Sequence, residues 1–125
     1  MHRILLREVV LDVPADLLDA ERDFWSKALV AEASTVPDHP EFVALHDPAA
    51  LPVVGLQGIG DGAARFHLDI ESDDVEAEVA RLVRLGATEQ GRYRSWVVLR
   101  DPAGLLCCVV PPESDQFAVR SREVE

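Results

Sequence analysis

Between residues 65 and 86 the chain changes its hydrophobic period once. Phe66, Leu68 and Ile70 alternate with His67, Asp69 and Glu71. A period of two predicts a strand with one face on a core and the other on something wetter. Val75, Val79, Leu82 and Val83 then form a single stripe at helical spacing. Asp73 is the expected N-cap, with Glu76 reaching back to close a capping box, and Gly86 is the expected stop. The same order occurs near the start of the chain. Residues 3–13 read as a strand, with Val9, Leu11 and Val13 in one row and Glu8, Val10 and Asp12 in the other, ended by Pro14. A helix follows from Asp16 to about Leu29, with Leu17, Ala20, Phe24 and Ala28 on its inner face and Trp25 beside it.

After each helix the pattern predicts three strands. In the first half they are residues 30–36, 41–46 and 51–57, separated by Pro37-Asp38-His39-Pro40 and by Asp47-Pro48-Ala49-Ala50. In the second half they are 87–89, 95–100 and 105–110, with turns at 91–94 and at Asp101-Pro102-Ala103-Gly104. The halves therefore repeat as modules 3–57 and 65–112, joined by a glycine-rich linker, 58–64. Residues 113–125 form a polar tail, mobile or draped over the surface, with Phe117, Val119 and Val124 as its apolar anchors. Glu8, Val10 and Asp12 map onto His67, Asp69 and Glu71, and the turn residue Asp47 maps onto Asp101. Two copies of a unit that cannot bury its face alone are expected to share one sheet. Helices would then take the apolar rows, and Glu8, Asp12, His67, Asp69 and Glu71 would line a concave surface.

Composition narrows the partners. The chain has 125 residues, 48% hydrophobic and 28% charged, which predicts one globular domain, residues 1–112, plus the tail. No apolar run approaches the ~20 residues that span a bilayer. Ile4-Leu5-Leu6 is cut short by Arg7 and Glu8, so a secretory leader is not expected and the cytoplasm is the expected compartment. A net charge of −11 disfavours nucleic acid and anionic membrane and favours a neutral or cationic small molecule. Cys107 and Cys108 are adjacent, so in a strand they point to opposite faces and do not bridge. Phosphate-binding loops, dinucleotide fingerprints and nucleophile elbows are absent from the sequence.

The segments HLDIESDDVEAEVARLVRLGA and WVVLRDPAGLLCCVVPP, placed on this repeat, resemble the vicinal oxygen chelate superfamily. That group includes glyoxalase I, bleomycin-binding resistance proteins, fosfomycin resistance enzymes and extradiol dioxygenases. The resemblance covers residues 3–112 and is strongest to small glyoxalase-like domain proteins. It implies an α+β fold: two tandem βαβββ modules forming a curved, mostly antiparallel sheet with helices on its outer face. In catalytic members each half gives a divalent metal one ligand from its first strand and one from its last, and the metal stabilises an enolate or oxyanion or activates oxygen. By position these are Glu8, His67 and Cys108, with Gln57 or Val54 as the fourth. Cys108 stands where the family usually has glutamate, so this set departs from the pattern.

The resemblance thus implies a small-molecule-binding protein without the full family metal site. The alternative is a metal-dependent lyase, isomerase or dioxygenase acting on an oxygen-chelating substrate, with zinc, iron, manganese or nickel. A homodimer is the family's common assembly. His67 is the candidate base or metal ligand, or else a pocket histidine bonded to Glu8. Glu8 shares those readings or sits at a dimer seam. Trp96 offers an aromatic wall to a planar or cationic ligand, or is a core residue. Gln57, Arg100 and Cys108 complete the ligand-binding candidates, Arg100 alternatively pairing with Asp101 and Cys108 being a buried thiol. Asp47 and Asp101 are expected to cap their turns, and His2, His39 and His46 to lie on the surface.

Overall fold

The structure, a computed structural model, describes residues 1–28, 31–46 and 53–125. The elements are β1 (His2–Val13), α1 (Leu18–Ala28), β2 (Glu32–Val36), β3 (His39–His46), β4 (Val53–Gly58), β5 (Arg65–Ser72), α2 (Val75–Arg84), β6 (Thr88–Arg92), β7 (Val97–Arg100), β8 (Leu106–Val110), α3 (Phe117–Arg120) and β9 (Arg122–Val124). They fall into two compact units, residues 8–67 and residues 1–7 with 68–125. Among the described residues no helix is long and apolar enough to cross a membrane. The expected helix end at Leu29, the turn at Asp47-Pro48-Ala49-Ala50 and the first residues of the strands expected at 30 and 51 lie outside the described residues.

In residues 8–67 the strands run β2-β3-β4-β1. β1 and β4 are parallel, with Val9 opposite Val54, Leu11 opposite Leu56 and Asp12 opposite Gln57, and the other pairs are antiparallel. Period-two alternation sends Leu11, Val13, Val54 and Leu56 to one face, where they close a core with Val43 and Leu45. Leu18 and Trp25, seven residues apart on α1, pack against that core. The face read from sequence, Leu17, Ala20, Phe24 and Ala28, is instead exposed. The reason is local. The chain enters α1 through a 3-10 turn at Ala15–Leu17. A 3-10 turn takes three residues per turn instead of 3.6, which rotates the helix that follows. The turn before β3 is also shorter than expected: Asp38 takes a left-handed φ of 63° and the strand resumes at His39.

In the second unit the strands run β5-β8-β7-β6, and β9 lies antiparallel to the start of β1, His2 opposite Val124 and Ile4 opposite Arg122. β5 and β8 are parallel. Val79, Val97, Leu99 and Val109 form the core, with Val75, Leu82, Ala87 and Cys107 against it. Asp74, not Asp73, caps α2 by accepting the Ala77 N–H at 3.0 Å. Asp73 accepts the Arg3 N–H, and Glu76 pairs with Arg92, so the capping box does not form. Gly86 ends the helix as expected, at φ 113°. The Gly86 N–H donates to Val83 O and the Ala87 N–H to Leu82 O, the Schellman pattern.

The apolar row of β5 is only partly used. Phe66 is 63% exposed and Leu68 41%, while His67 is 8% and Glu71 0% exposed. α2 has ten residues and β5 eight, so a helix of about 15 Å follows a strand of about 26 Å, too short to cover it all. The β6–β7 hairpin turns at 93–96, closed by the Tyr93 N–H on Trp96 O, so Arg92 belongs to β6 and β7 begins only at Val97. The turn at 101–104 forms as read: the Asp101 carboxylate accepts the Ala103 and Leu105 N–H groups, and Gly104 has φ 93°. The strand ending at Val110 is not the last one, because the tail folds into α3 and β9. Polar groups anchor it: Arg3 donates to the Ser121 hydroxyl and carbonyl, and Val119 is exposed.

Candidate functional site

β1 and β4 present a second row behind the core row, made of Glu8, Val10, Asp12, Gly55 and Gln57. Asp12 is 1% exposed. Its Oδ2 accepts the Arg65 Nε–H at 3.0 Å and lies 2.8 Å from His67 Nδ1. Its Oδ1 is buried without a hydrogen-bond partner among the described residues. A carboxylate is acceptor-only at neutral pH, so in this pair Nδ1 carries the proton. A buried ionised carboxylate needs a charged partner, and Arg65 supplies it. Glu8 lies on the same row beside Gly55: a Cβ added at Gly55 would sit 3.0 Å from Glu8 Oε2. Matched through the strand register, Cys108 corresponds to Gly55 and not to Gln57 or Val54, since Val10 pairs with Gly55 and Asp69 with Cys108. The first half therefore has no side chain at that place, and the Glu8 carboxylate lies over the glycine.

On β5 and β8, His67, Asp69 and Cys108 offer ligand atoms that all lie within 4.8 Å of one another. His67 and Cys108 are two of the three metal ligands expected from the sequence; Asp69, not Glu8, is the third member of this group. Imidazole nitrogen, carboxylate oxygen and thiolate sulfur together suit zinc or iron better than a hard cation. The bond from Nδ1 to Asp12 is the outer-shell arrangement that metal-ligating histidines commonly show. Cys107 faces the other way, toward the core of its unit. Burial, then the charges of Asp101, Asp69 and Glu78, push its thiol above the ordinary range.

The remaining candidates are engaged locally. Trp96 stacks on Tyr93 at the β6–β7 turn, with centroids 5.5 Å apart and planes 18° from parallel. Arg100 donates to the Gly104 carbonyl at 2.7 Å, so it braces its own turn and does not pair with Asp101. His39 and His46 are on the surface as read, but His2 is buried, 2.7 Å from Glu78 Oε2. Three acids matter more than the sequence suggested. Besides Asp12, Glu71 is fully buried and accepts the Glu113 and Ser114 N–H groups, with Arg7 Nε 3.6 Å away. Glu78, on the helix, is held by Arg81 through two hydrogen bonds of 2.8 Å. Alternation placed Asp12 and Glu71 on the correct rows; nothing local marked Glu78.

Solved structures share this fold. A methylmalonyl-CoA epimerase from Mycobacterium tuberculosis aligns with a TM-score of 0.61 at 17% identity, over 91% of each chain. A Legionella pneumophila structure described as an NAD-dependent benzaldehyde dehydrogenase aligns with a TM-score of 0.62 at 13% identity, over 85% of this chain and 98% of that one. The H200C variant of homoprotocatechuate 2,3-dioxygenase from B. fuscum aligns with a TM-score of 0.55 at 14% identity, over 92% of this chain and 34% of that one. Epimerase, dehydrogenase and dioxygenase on one scaffold mean that the fold does not select the reaction. No curated protein matches the chain. The class is the α+β fold of the vicinal oxygen chelate superfamily. Within it, the chain belongs to the glyoxalase-like domain family, whose model matches residues 8–110.

Proposed function

We propose that the chain binds a small molecule at the row formed by Glu8, Asp12, Gln57 and His67, with His67 as the group that meets the ligand. The supporting observation is the buried Asp12–His67 hydrogen bond of 2.8 Å, which holds the imidazole in place on that row. A net charge of −11 favours a neutral or cationic ligand, such as a cationic glycopeptide or a flat aromatic compound. The second reading is a lyase, isomerase or dioxygenase in which a divalent metal polarises substrate oxygens. The His67, Asp69 and Cys108 grouping favours it, and those three residues would hold the ion. Cytoplasmic location and a homodimer complete the proposal.

Metal content of protein purified without chelator, measured beside His67→Ala, separates the two readings. Substoichiometric metal, with His67-dependent thermal stabilisation by a cationic glycopeptide or a flat aromatic compound, is the outcome expected for the binder. Stoichiometric zinc or iron lost in His67→Ala would replace it with the enzyme. Stabilisation that survives His67→Ala would overturn the role given to the histidine in either.

A further inference from the structure

We propose that the β6–β7 hairpin carries a second binding site, for a planar aromatic anion such as an arenecarboxylate. It is built wholly from residues of the second unit and does not depend on the reading given to His67. The turn at 93–96 brings two aromatic rings together outside the core. Tyr93 and Trp96 stack with centroids 5.5 Å apart and planes 18° from parallel, and the Tyr93 N–H donates to Trp96 O at 3.0 Å. Neither ring belongs to the cluster of Val79, Val97, Leu99 and Val109. Tyr93 keeps 56% of its surface exposed, and Trp96 is half-buried. The strand makes room for the stack. The register of β6 with β7 shifts between Glu89 and Gly91, a bulge of the kind that re-aims the side chains beyond it. A Cβ added at Gly91 would lie 3.3 Å from the Tyr93 ring, so the glycine gives that ring its seat.

The rings select shape, and the charges beside them select sign. An exposed aromatic pair accepts a further flat ring in offset or edge contact. Arg92 is occupied, since it donates to both Glu76 and Glu89. That group keeps one negative charge in excess, carried on α2 and β6 and not on the turn. Arg94, inside the turn, is exposed and makes no hydrogen bond or ion pair among the described residues. The chain's net charge of −11 acts on this surface through solvent, which screens it beyond about 8 Å at physiological salt. The charge next to the rings along the chain is therefore an unneutralised guanidinium, whose planar fork takes a carboxylate through two parallel hydrogen bonds.

The test is an NMR titration of the whole nitrogen-labelled chain with 2-naphthoate and, separately, with 2-naphthylmethylammonium, which share a ring system and differ in charge. The two tryptophans give two indole N–H signals, assigned with Trp96→Phe. Saturable shifts are expected at the Trp96 indole and at the backbone of 91–96, with the Trp25 indole unmoved. Naphthoate is expected to bind about two- to fivefold more tightly than the ammonium, the size of an exposed charge pair. Tyr93→Ala should weaken naphthoate about tenfold by removing the stacked ring. Arg94→Gln should abolish the preference between the two probes. The amide spectrum outside the hairpin reports whether each variant is folded. Tighter binding of the ammonium, shifts that never saturate at millimolar probe, or naphthoate binding unchanged in a folded Tyr93→Ala variant would each overturn the proposal. His67→Ala should leave the naphthoate titration as it was. Loss of binding in that variant would place the naphthoate at the His67 row and overturn the hairpin site instead.

Discussion

Glu78 shows how much depends on single side chains. It lies on α2 with no exposed surface, held by His2 and by two bonds from Arg81. Burial alone pushes its carboxyl up, but the hydrogen bonds and charges of Arg81 and His2 outweigh that and bring it below the ordinary 4.5. A lowered folded-state value means the charged form contributes stability above pH 4.5, and that contribution is lost as pH falls through the folded value. Glu78→Ala is expected to cost about 3–5 kcal/mol at neutral pH, because it takes the carboxylate partner from buried His2 and partly buried Arg81. It should also flatten the acid limb of the stability curve, which urea unfolding between pH 7 and pH 3 would measure. An unchanged limb would show that the triad contributes nothing to folding. The sequence carried no sign of this pairing. His2 reads as a terminal surface residue, and its partner is 76 positions away. Hydrophobic period reports which face a residue occupies, and says nothing about which distant charge will meet it there.

At the scale of elements, end signals were legible and faces were legible in part. Gly86 stops α2 as read, since the helix leaves through a positive φ that glycine adopts cheaply. The cap was misplaced by one residue, because Asp73 and Asp74 are equally good capping types and only the path of the chain chooses between them. Asp74→Ala is therefore expected to destabilise by about 1 kcal/mol through the lost bond to the Ala77 N–H. Asp73→Ala, which leaves that bond intact, should leave α2 capped. Native-state hydrogen exchange at Ala77 distinguishes them, with faster exchange in Asp74→Ala alone. Equal exchange at Ala77 in both variants would mean that the assigned cap is wrong. α1 fails differently: its stripe was sound as a helix and wrong as a face, because three residues of 3-10 turn precede it. A rotation of that kind has no signature in the apolar spacing.

For the whole molecule, the tail is the clearest correction. Residues 113–125 look dispensable by composition, yet the backbone at Glu113 and Ser114 satisfies buried Glu71, and β9 covers an edge of β1. Truncation after Pro112 is expected to lower the melting temperature by about 5 °C or more, since an unsatisfied buried carboxylate alone costs about 1–3 kcal/mol. Truncation combined with Glu71→Gln should recover part of the loss, and an unchanged melting temperature in the simple truncation would show the tail to be passive. The sequence by itself determined the order of strands and helices as far as β8, the turn at 101–104, and the alternation that keeps Glu8, Asp12 and His67 off the core rows. These follow from local sterics and from a side-chain period that each segment expresses alone. Tertiary structure decided that Asp12 meets His67 Nδ1, that a glycine stands opposite Val10 where Cys108 stands opposite Asp69, and that Glu71 and Glu78 are buried with partners. Pairings of that kind join residues far apart along the chain, and only strand register and the closing of the core bring them within bonding distance.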